Sequence, residues 1–104
     1  MLPEVIWTRG AEADLGALYQ ELEDYQSSNG DRLLLLIDSS LQLLRHFPEM
    51  APIFDSPIRR LVLNSRKHGV FYSLENRGII IHAVADLRSD PSVLRARFRE
   101  IIQG

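Results

Sequence analysis

The spacing of apolar positions changes along the 104-residue chain, and each change predicts an element. Val5-Ile6-Trp7-Thr8 is a short β-prone stretch that stops at Arg9-Gly10. From Ala11 onward the period is helical. Leu15, Leu18, Leu22 and Tyr25 recur at spacings of three, four and three, which puts them on one stripe. Glu12, Asp14, Glu21, Glu23 and Asp24 fall mostly off that stripe. Ser27-Ser28-Asn29-Gly30 breaks the pattern, with Gly30 suited to the left-handed backbone of a helix end or turn. Ser28 and Asp31 then have the spacing of a capping box for a second helix. Leu34, Ile37, Leu41 and Leu44 repeat the spacing of the first stripe, and Leu33, Leu35, Leu36 and Leu43 are expected to widen the buried face. This helix should end at Phe47-Pro48, because proline disfavours helix in the residue before it. Two matched stripes and a short connection predict an antiparallel helical hairpin.

The pattern beyond residue 48 is different. Pro48, Pro52 and Pro57 mark an irregular connector, followed by β-prone runs at 58–63, 70–75 and 79–87. The last two flank Asn76-Arg77-Gly78, which reads as a hairpin turn. Ile79-Ile80-Ile81 is apolar on both faces, as in a strand covered on both sides. Asp90-Pro91 is a helix start, with aspartate at the N-cap and proline in the first turn. In that helix Leu94, Phe98 and Ile101 or Ile102 should face inward, leaving Arg95 and Arg99 as an i,i+4 basic pair toward solvent. The order is β-α-α-β-β-β closed by a helix. It predicts a single α+β domain over residues 1–104: a mainly antiparallel sheet, a helical hairpin packed on it and a C-terminal helix.

Composition adds exclusions. With 45% hydrophobic and 25% charged residues the chain has the balance of a globular protein. It contains no cysteine, so disulfides and thiolate metal sites are out of reach. The first residues lack the basic and apolar regions of a secretory signal, and the longest apolar run, 33–37, is far short of the ~20 residues that span a bilayer. A cytoplasmic location fits these features, and no membrane association is expected. The net charge of −2 conceals an asymmetry. Residues 1–55 carry three basic against ten acidic side chains, a net of −7, whereas residues 56–104 carry nine against four, a net of +5. Such a division predicts an electropositive face that meets an anionic partner, the alternative being mutual neutralisation within the fold.

The stretch Arg59-Arg60-Leu61, His68-Gly69-Val70-Phe71-Tyr72-Ser73-Leu74-Glu75 and Ala83-Val84-Ala85-Asp86-Leu87-Arg88-Ser89-Asp90-Pro91 resembles the RelE/ParE toxin superfamily of type II toxin–antitoxin (plasmid stabilisation) systems. The order of elements is also that of the family, so the likeness extends over nearly the whole chain. The resemblance implies an antitoxin that wraps and neutralises the protein. It further implies either a RelE-type ribosome-dependent mRNA endonuclease or a ParE-type inhibitor of DNA gyrase. Gly-Val-Phe-Tyr and Leu-Arg-x-Asp-Pro lean to the ParE branch. An arginine common to the RelE branch is replaced by Gly69, and a tyrosine common near Val93 or Leu94 is missing. Asp86 stands where a histidine is common, and Ser89 where a second basic residue is common.

Cleavage of RNA by its own 2′-oxygen needs a base, an acid and cations around the transition state. Arg60 and Arg88 are candidate phosphate clamps, because a guanidinium binds phosphate bidentately. Lys67 and Arg66 are point charges near the same strands, and Tyr72, His68 and His82 are the proton carriers to consider. Each has a plainer reading. Tyr72 is in phase with Val70 and Leu74, as a core residue would be, and His82 is in phase with Ile80 and Val84 as a half-buried structural histidine. His68 precedes a strand and suits a loop. Arg60 shares a strand face with Ile58 and Val62, which calls for a sheet edge or a charge partner. His46, His68 and His82 lack metal-ligand spacing, and no phosphate loop or nucleophile elbow is present, so neither metal nor cofactor is expected.

The sequence therefore favours a protein-binding toxin without chemistry of its own, with Arg66, Lys67, Arg88, Arg95 and Arg99 as target-binding residues. The alternatives are a metal-independent nuclease acting on ribosome-bound mRNA through Arg60, Arg88, Lys67, Tyr72 and His82, or a degenerate member that only binds its antitoxin.

Overall fold

A computed structural model describes residues 1–76 and 78–103, with side-chain environments up to residue 100. The elements are β1 (Glu4–Trp7), α1 (Arg9–Tyr25), α2 (Asn29–His46), β2 (Ile53–Asp55), β3 (Ile58–Val62), β4 (His68–Glu75), β5 (Gly78–Asp86) and α3 (Pro91–Gln103). The five strands form one sheet in the order β1-β5-β4-β3-β2. β1 runs parallel to β5, and the other neighbours are antiparallel, which gives the α+β class and the mainly antiparallel sheet expected from the sequence. Parallel pairing brings the Glu4 carbonyl against Gly78, whose φ of 142° and missing side chain permit the approach.

The helical hairpin covers one face of the sheet. Thr8 joins the two layers: its hydroxyl accepts from the Ala11 amide at 3.1 Å, capping α1, and donates to the Ile81 carbonyl at 3.0 Å. Leu15, Leu18 and Leu22 pack inward as their spacing predicts. Tyr25, the fourth member of that stripe, is 85% exposed because the last turn of α1 reaches past the strands. On α2 the buried line is Leu33, Ile37, Leu41 and Leu44, so it begins at Leu33 and not at Leu34. Leu34, Leu35 and Leu43 are exposed, off the line by which α2 packs on α1 and β1.

The turn between the helices also differs from expectation. Ser28 takes the left-handed backbone, with φ 77°, and makes no side-chain capping bond, so the capping box does not form. Gly30 lies inside α2, buried against α1, where an added Cβ would fall 2.7 Å from the Tyr19 ring. Its amide is instead bound by the Glu23 carboxylate at 2.7 Å, and Asp31 accepts from the Tyr19 hydroxyl at 2.9 Å. Gly30 is there for helix–helix proximity.

The opposite face of the sheet is covered by α3. Leu94 and Phe98 pack on Ile58, Phe71 and Ala83, and Phe54 meets Phe71 and Phe98 edge-on at 5.0 and 6.2 Å between ring centres. The central strands β4 and β5 are thus buried on both faces, as the isoleucine run predicts. The proline-bearing connector contains a strand the sequence did not suggest. β2 pairs with β3 through Ile53↔Arg59 and Asp55↔Ile58, across a turn holding the cis Ser56–Pro57 bond. Proline is compatible with an edge strand, which has one side unpaired. The expected turn residue Arg77 and the inward positions Ile101 and Ile102 lie outside the described side chains.

One irregularity sets the register of the sheet. Phe71 pairs with Ala83 and Tyr72 with Ile81, leaving His82 as the extra residue of a β-bulge. Alternation therefore slips by one: Ile81 and Val84 both face the hairpin, and Ala83 faces α3. The bulge exposes backbone groups, and three side chains satisfy them. Ile81 carbonyl receives the Thr8 hydroxyl, the Val84 amide donates to Asp14 Oδ2 at 3.0 Å, and His82 carbonyl accepts from Arg97 Nη2 at 2.8 Å. Arg97 Nη1 closes the arrangement on Asp14 Oδ1 at 3.0 Å. Residues far apart in the chain thereby tie α1, the bulge and α3 together.

Candidate target-binding site

Basic side chains gather where β4 begins and β5 ends. The β3–β4 turn is a tight one: the Arg66 amide donates to the Leu63 carbonyl at 2.8 Å, and the Leu63 amide donates to the His68 carbonyl at 2.9 Å. This geometry places a left-handed residue at the position where glycine is favoured. Arg66 occupies it with φ 61°, at a backbone cost of about 1 kcal/mol. Leu87 amide donates to the Lys67 carbonyl at 2.9 Å, which sets the β5–α3 turn beside this hairpin. Asp90 then starts α3 by accepting from the Ser92 amide and hydroxyl.

The two turns and the overhanging end of α1 enclose a cleft of about 670 Å³. Arg66, Lys67 and Arg88 stand on one side of it, Glu21 and Tyr25 on the other, and Leu18 and Leu22 line its depth. Arg66 and Lys67 are exposed. Arg88 is 90% exposed yet not free: its Nε and Nη2 grip the Asp86 carboxylate at 3.1 and 2.9 Å. The Arg88 side chain and amide together hold the Asp86 carboxyl down at about 2, below its ordinary 3.8. His68, opposite Asp86 across the strands, is buried and faces the hairpin, so it is a strand residue and not a loop residue. Burial lowers its pKa, against the opposing pull of Asp86 and Glu21.

The other candidates stand elsewhere. Arg95 and Arg60 approach one ring on the α3 face, with guanidinium carbons 4.6 and 5.4 Å from the Phe54 centre. Arg60 is therefore near the β2 edge, and Arg95 is partly packed where solvent was expected. Arg99 is exposed one turn further along α3. Gly69 lies beneath Arg60, and a Cβ there would sit 3.3 Å from Leu87 and 3.4 Å from the Arg60 side chain. The space that a longer residue at this position would enter is already filled.

Tyr72 is wholly buried, and its hydroxyl donates to the Pro48 carbonyl at 2.7 Å. Burial raises its pKa. His82 is buried at the bulge, with Nε2 2.8 Å from Ser73 Oγ and with Nδ1 unpartnered among the described residues. The bulge separates it from Val84, with which it was expected to share a face. The structure thus brings together Arg66, Lys67 and Arg88, places Arg60 with Arg95, and leaves Tyr72 and His82 apart from both groups. Sequence reasoning missed Asp14 and Arg97, whose pairing has no local signature. It also missed the left-handed Arg66, for which the polar run Asn64-Ser65 was the available turn signal.

Comparison with known proteins accords with this architecture. The family model for "ParE toxin of type II toxin-antitoxin system, parDE" matches residues 5–101. The chain belongs to the ParE toxin family. ParE-family membership makes it the toxin component of a type II toxin–antitoxin system and implies a cognate antitoxin as its partner. A solved structure described as "Chromosomal ParDE TA system from P. aeruginosa" has the same fold, with a TM-score of 0.73 at 19% identity, over 84% of this chain and 98% of that one. No curated protein matches the sequence. Among the described residues, no helix is long and apolar enough to cross a membrane.

Proposed function

We propose that this ParE-family chain acts in the cytoplasm as a single toxin domain that binds and inhibits DNA gyrase without catalysing a reaction. The observation that carries the reading is the state of the would-be catalytic groups. Tyr72 and His82 are buried, the Tyr72 hydroxyl donating to the Pro48 carbonyl and His82 Nε2 lying against Ser73 Oγ, and Gly69 has no side chain where the nuclease branch has an arginine. Acid–base catalysis needs such groups within reach of the substrate. What remains accessible is charge. Arg66, Lys67, Arg88 and Arg99 are exposed and supply steering and surface recognition of an acidic partner.

The purified protein added to a gyrase supercoiling reaction should inhibit it in proportion to dose. The same protein added to a translation reaction should leave ribosome-bound mRNA uncut. Cleaved mRNA with undisturbed supercoiling would replace this reading by the nuclease one. Normal growth on induced expression without antitoxin, with the protein soluble, would count against both.

A further inference from the structure

The charged side chains of the cationic cleft are not equivalent. Arg66 and Lys67 are exposed, and neither forms an ion pair among the described residues. Glu21 stands across from them on α1, likewise without an ion pair among the described residues. Asp86 and Arg88 hold each other. The carboxylate takes three bonds from one residue: Oδ1 accepts from the Arg88 amide at 2.8 Å and from its Nε at 3.1 Å, and Oδ2 accepts from Nη2 at 2.9 Å. A side-on grip of this kind is how an arginine takes up the carboxylate or phosphate of a partner. Arg88 is therefore engaged as it would be in a complex, but by a neighbour in its own turn.

Local structure maintains the contact. The Ser89 amide donates to the Asp86 carbonyl at 2.9 Å, so Asp86 and Arg88 are the first and third residues of one β-turn. The Leu87 amide fixes that turn on the Lys67 carbonyl. Asp86 is the anchored member, paired on β5 with His68 and 28% exposed, whereas the Arg88 side chain is 90% exposed. Burial lowers the pKa of His68, so at neutral pH it adds no positive charge beside Asp86. The Asp86–Arg88 pair thus carries no net charge, and the cleft offers Arg66 and Lys67 against Glu21.

We propose that Asp86 is an internal stand-in for an acidic partner: it masks Arg88 in the free protein and gives it up when a segment of adjacent carboxylates docks in the cleft. Arg66 and Lys67 meet one carboxylate of that segment, and a second displaces Asp86 from Arg88. The pair lies in solvent, where such ion pairs are weak, so the mask is light enough to be displaced. Its effect is to hold down the affinity of the cleft for acidic segments in general. The inference deepens the target-binding reading of this cleft and rests on it for the identity of the target, but the exchange itself is testable with no target present.

The probe is a fluorescently labelled synthetic peptide of consecutive glutamates, titrated onto the full chain and followed by anisotropy. Asp86→Asn keeps an oxygen for the Arg88 amide and removes the charge that masks the guanidinium. It should bind the peptide at least about threefold more tightly than the parent. Asp86→Ala should gain as much, which keeps the test open where the asparagine variant fails to fold. Adding Arg88→Gln to either should cancel the gain. Glu4→Gln makes the same change in net charge at the far end of β5, where Glu4 pairs with Gly78, and should leave binding within about twofold of the parent. Equal or weaker binding by both Asp86 variants would overturn the proposal, because Asp86 would then orient Arg88 for the partner instead of masking it. A gain matched by Glu4→Gln, or one that survives Arg88→Gln, would overturn it too. In the supercoiling reaction Asp86→Asn should inhibit at a dose at least about threefold lower than the parent. Tighter peptide binding in a protein that never inhibits supercoiling would overturn the gyrase reading and uphold the mask.

Discussion

Arg66 carries information that its charge alone does not. Its left-handed backbone strains any residue with a Cβ, and glycine would relieve about 1 kcal/mol of that strain. The added freedom of glycine in the unfolded chain offsets part of the relief. Arg66→Gly should therefore unfold at an equal or slightly higher temperature than the parent. It should nevertheless lose several-fold in target inhibition, because the guanidinium at the cleft mouth is gone. Thermal unfolding and a dose–response curve on the same preparation decide the matter. A variant that is more stable and fully active would mean that Arg66 has no part in binding. Arg88 presents the complementary case. Its exposure is high, but the Asp86 carboxylate already occupies its bidentate face, so an anionic group on a target competes with an internal one.

At the scale of elements, the bulge on β5 determines how α1 and α3 are fixed to the sheet. Asp14 accepts from both the Val84 amide and Arg97, and only a carboxylate serves both at full strength. Asp14→Ala leaves a buried-side amide without a partner and should destabilise the fold by about 2 kcal/mol in urea titration. Exchange of the Val84 amide hydrogen should accelerate with it. Asp14→Asn, which keeps an acceptor, should cost less than half as much. Equal losses for the two would mean that the carboxylate charge and not the amide bond is what counts.

The same bulge marks the limit of what periodicity can reveal. The hairpin helices, β3 to β5 and α3 were legible because their apolar spacing reflects burial on a regular lattice. A one-residue slip on a strand that is apolar on both faces leaves no trace in such spacing. It misplaced His82 relative to Val84. β2 was hidden for a related reason, since a three-residue edge strand among prolines has too few positions to show a period. In the candidate site, Arg66, Lys67 and Arg88 were legible as charges near chain turns. The burial of Tyr72 was legible from its phase with Val70 and Leu74. The Phe54 platform beneath Arg60 and Arg95 was not, because it joins β2, β3 and α3.

For the molecule as a whole, the charge division between the halves of the chain follows its elements: the acidic half supplies β1, the two hairpin helices and β2, and the basic half supplies β3 to β5 and α3. Two buried histidines lie along the same central strands, His68 near the cationic cleft and His82 at the bulge. Burial is the largest influence on each and lowers both pKa values from the ordinary 6.5. Asp86 and Glu21 oppose this at His68, and Glu75 opposes it at His82, but without reversing it. The sign of the consequence is fixed. As pH falls through 6.5 the unfolded chain takes up protons that the folded chain still refuses, so unfolding is favoured across that window. Below the folded values both states are protonated and the loss levels off. Asp86 contributes nothing in this range, because its depressed pKa of about 2 moves its own effect to strongly acid solution. Urea midpoints measured from about pH 8 down to about pH 5 should therefore fall toward the acid side. His68→Gln and His82→Gln should each flatten the slope, and the double variant should nearly abolish it. A slope that persists in the double variant would place the titrating groups elsewhere in the fold.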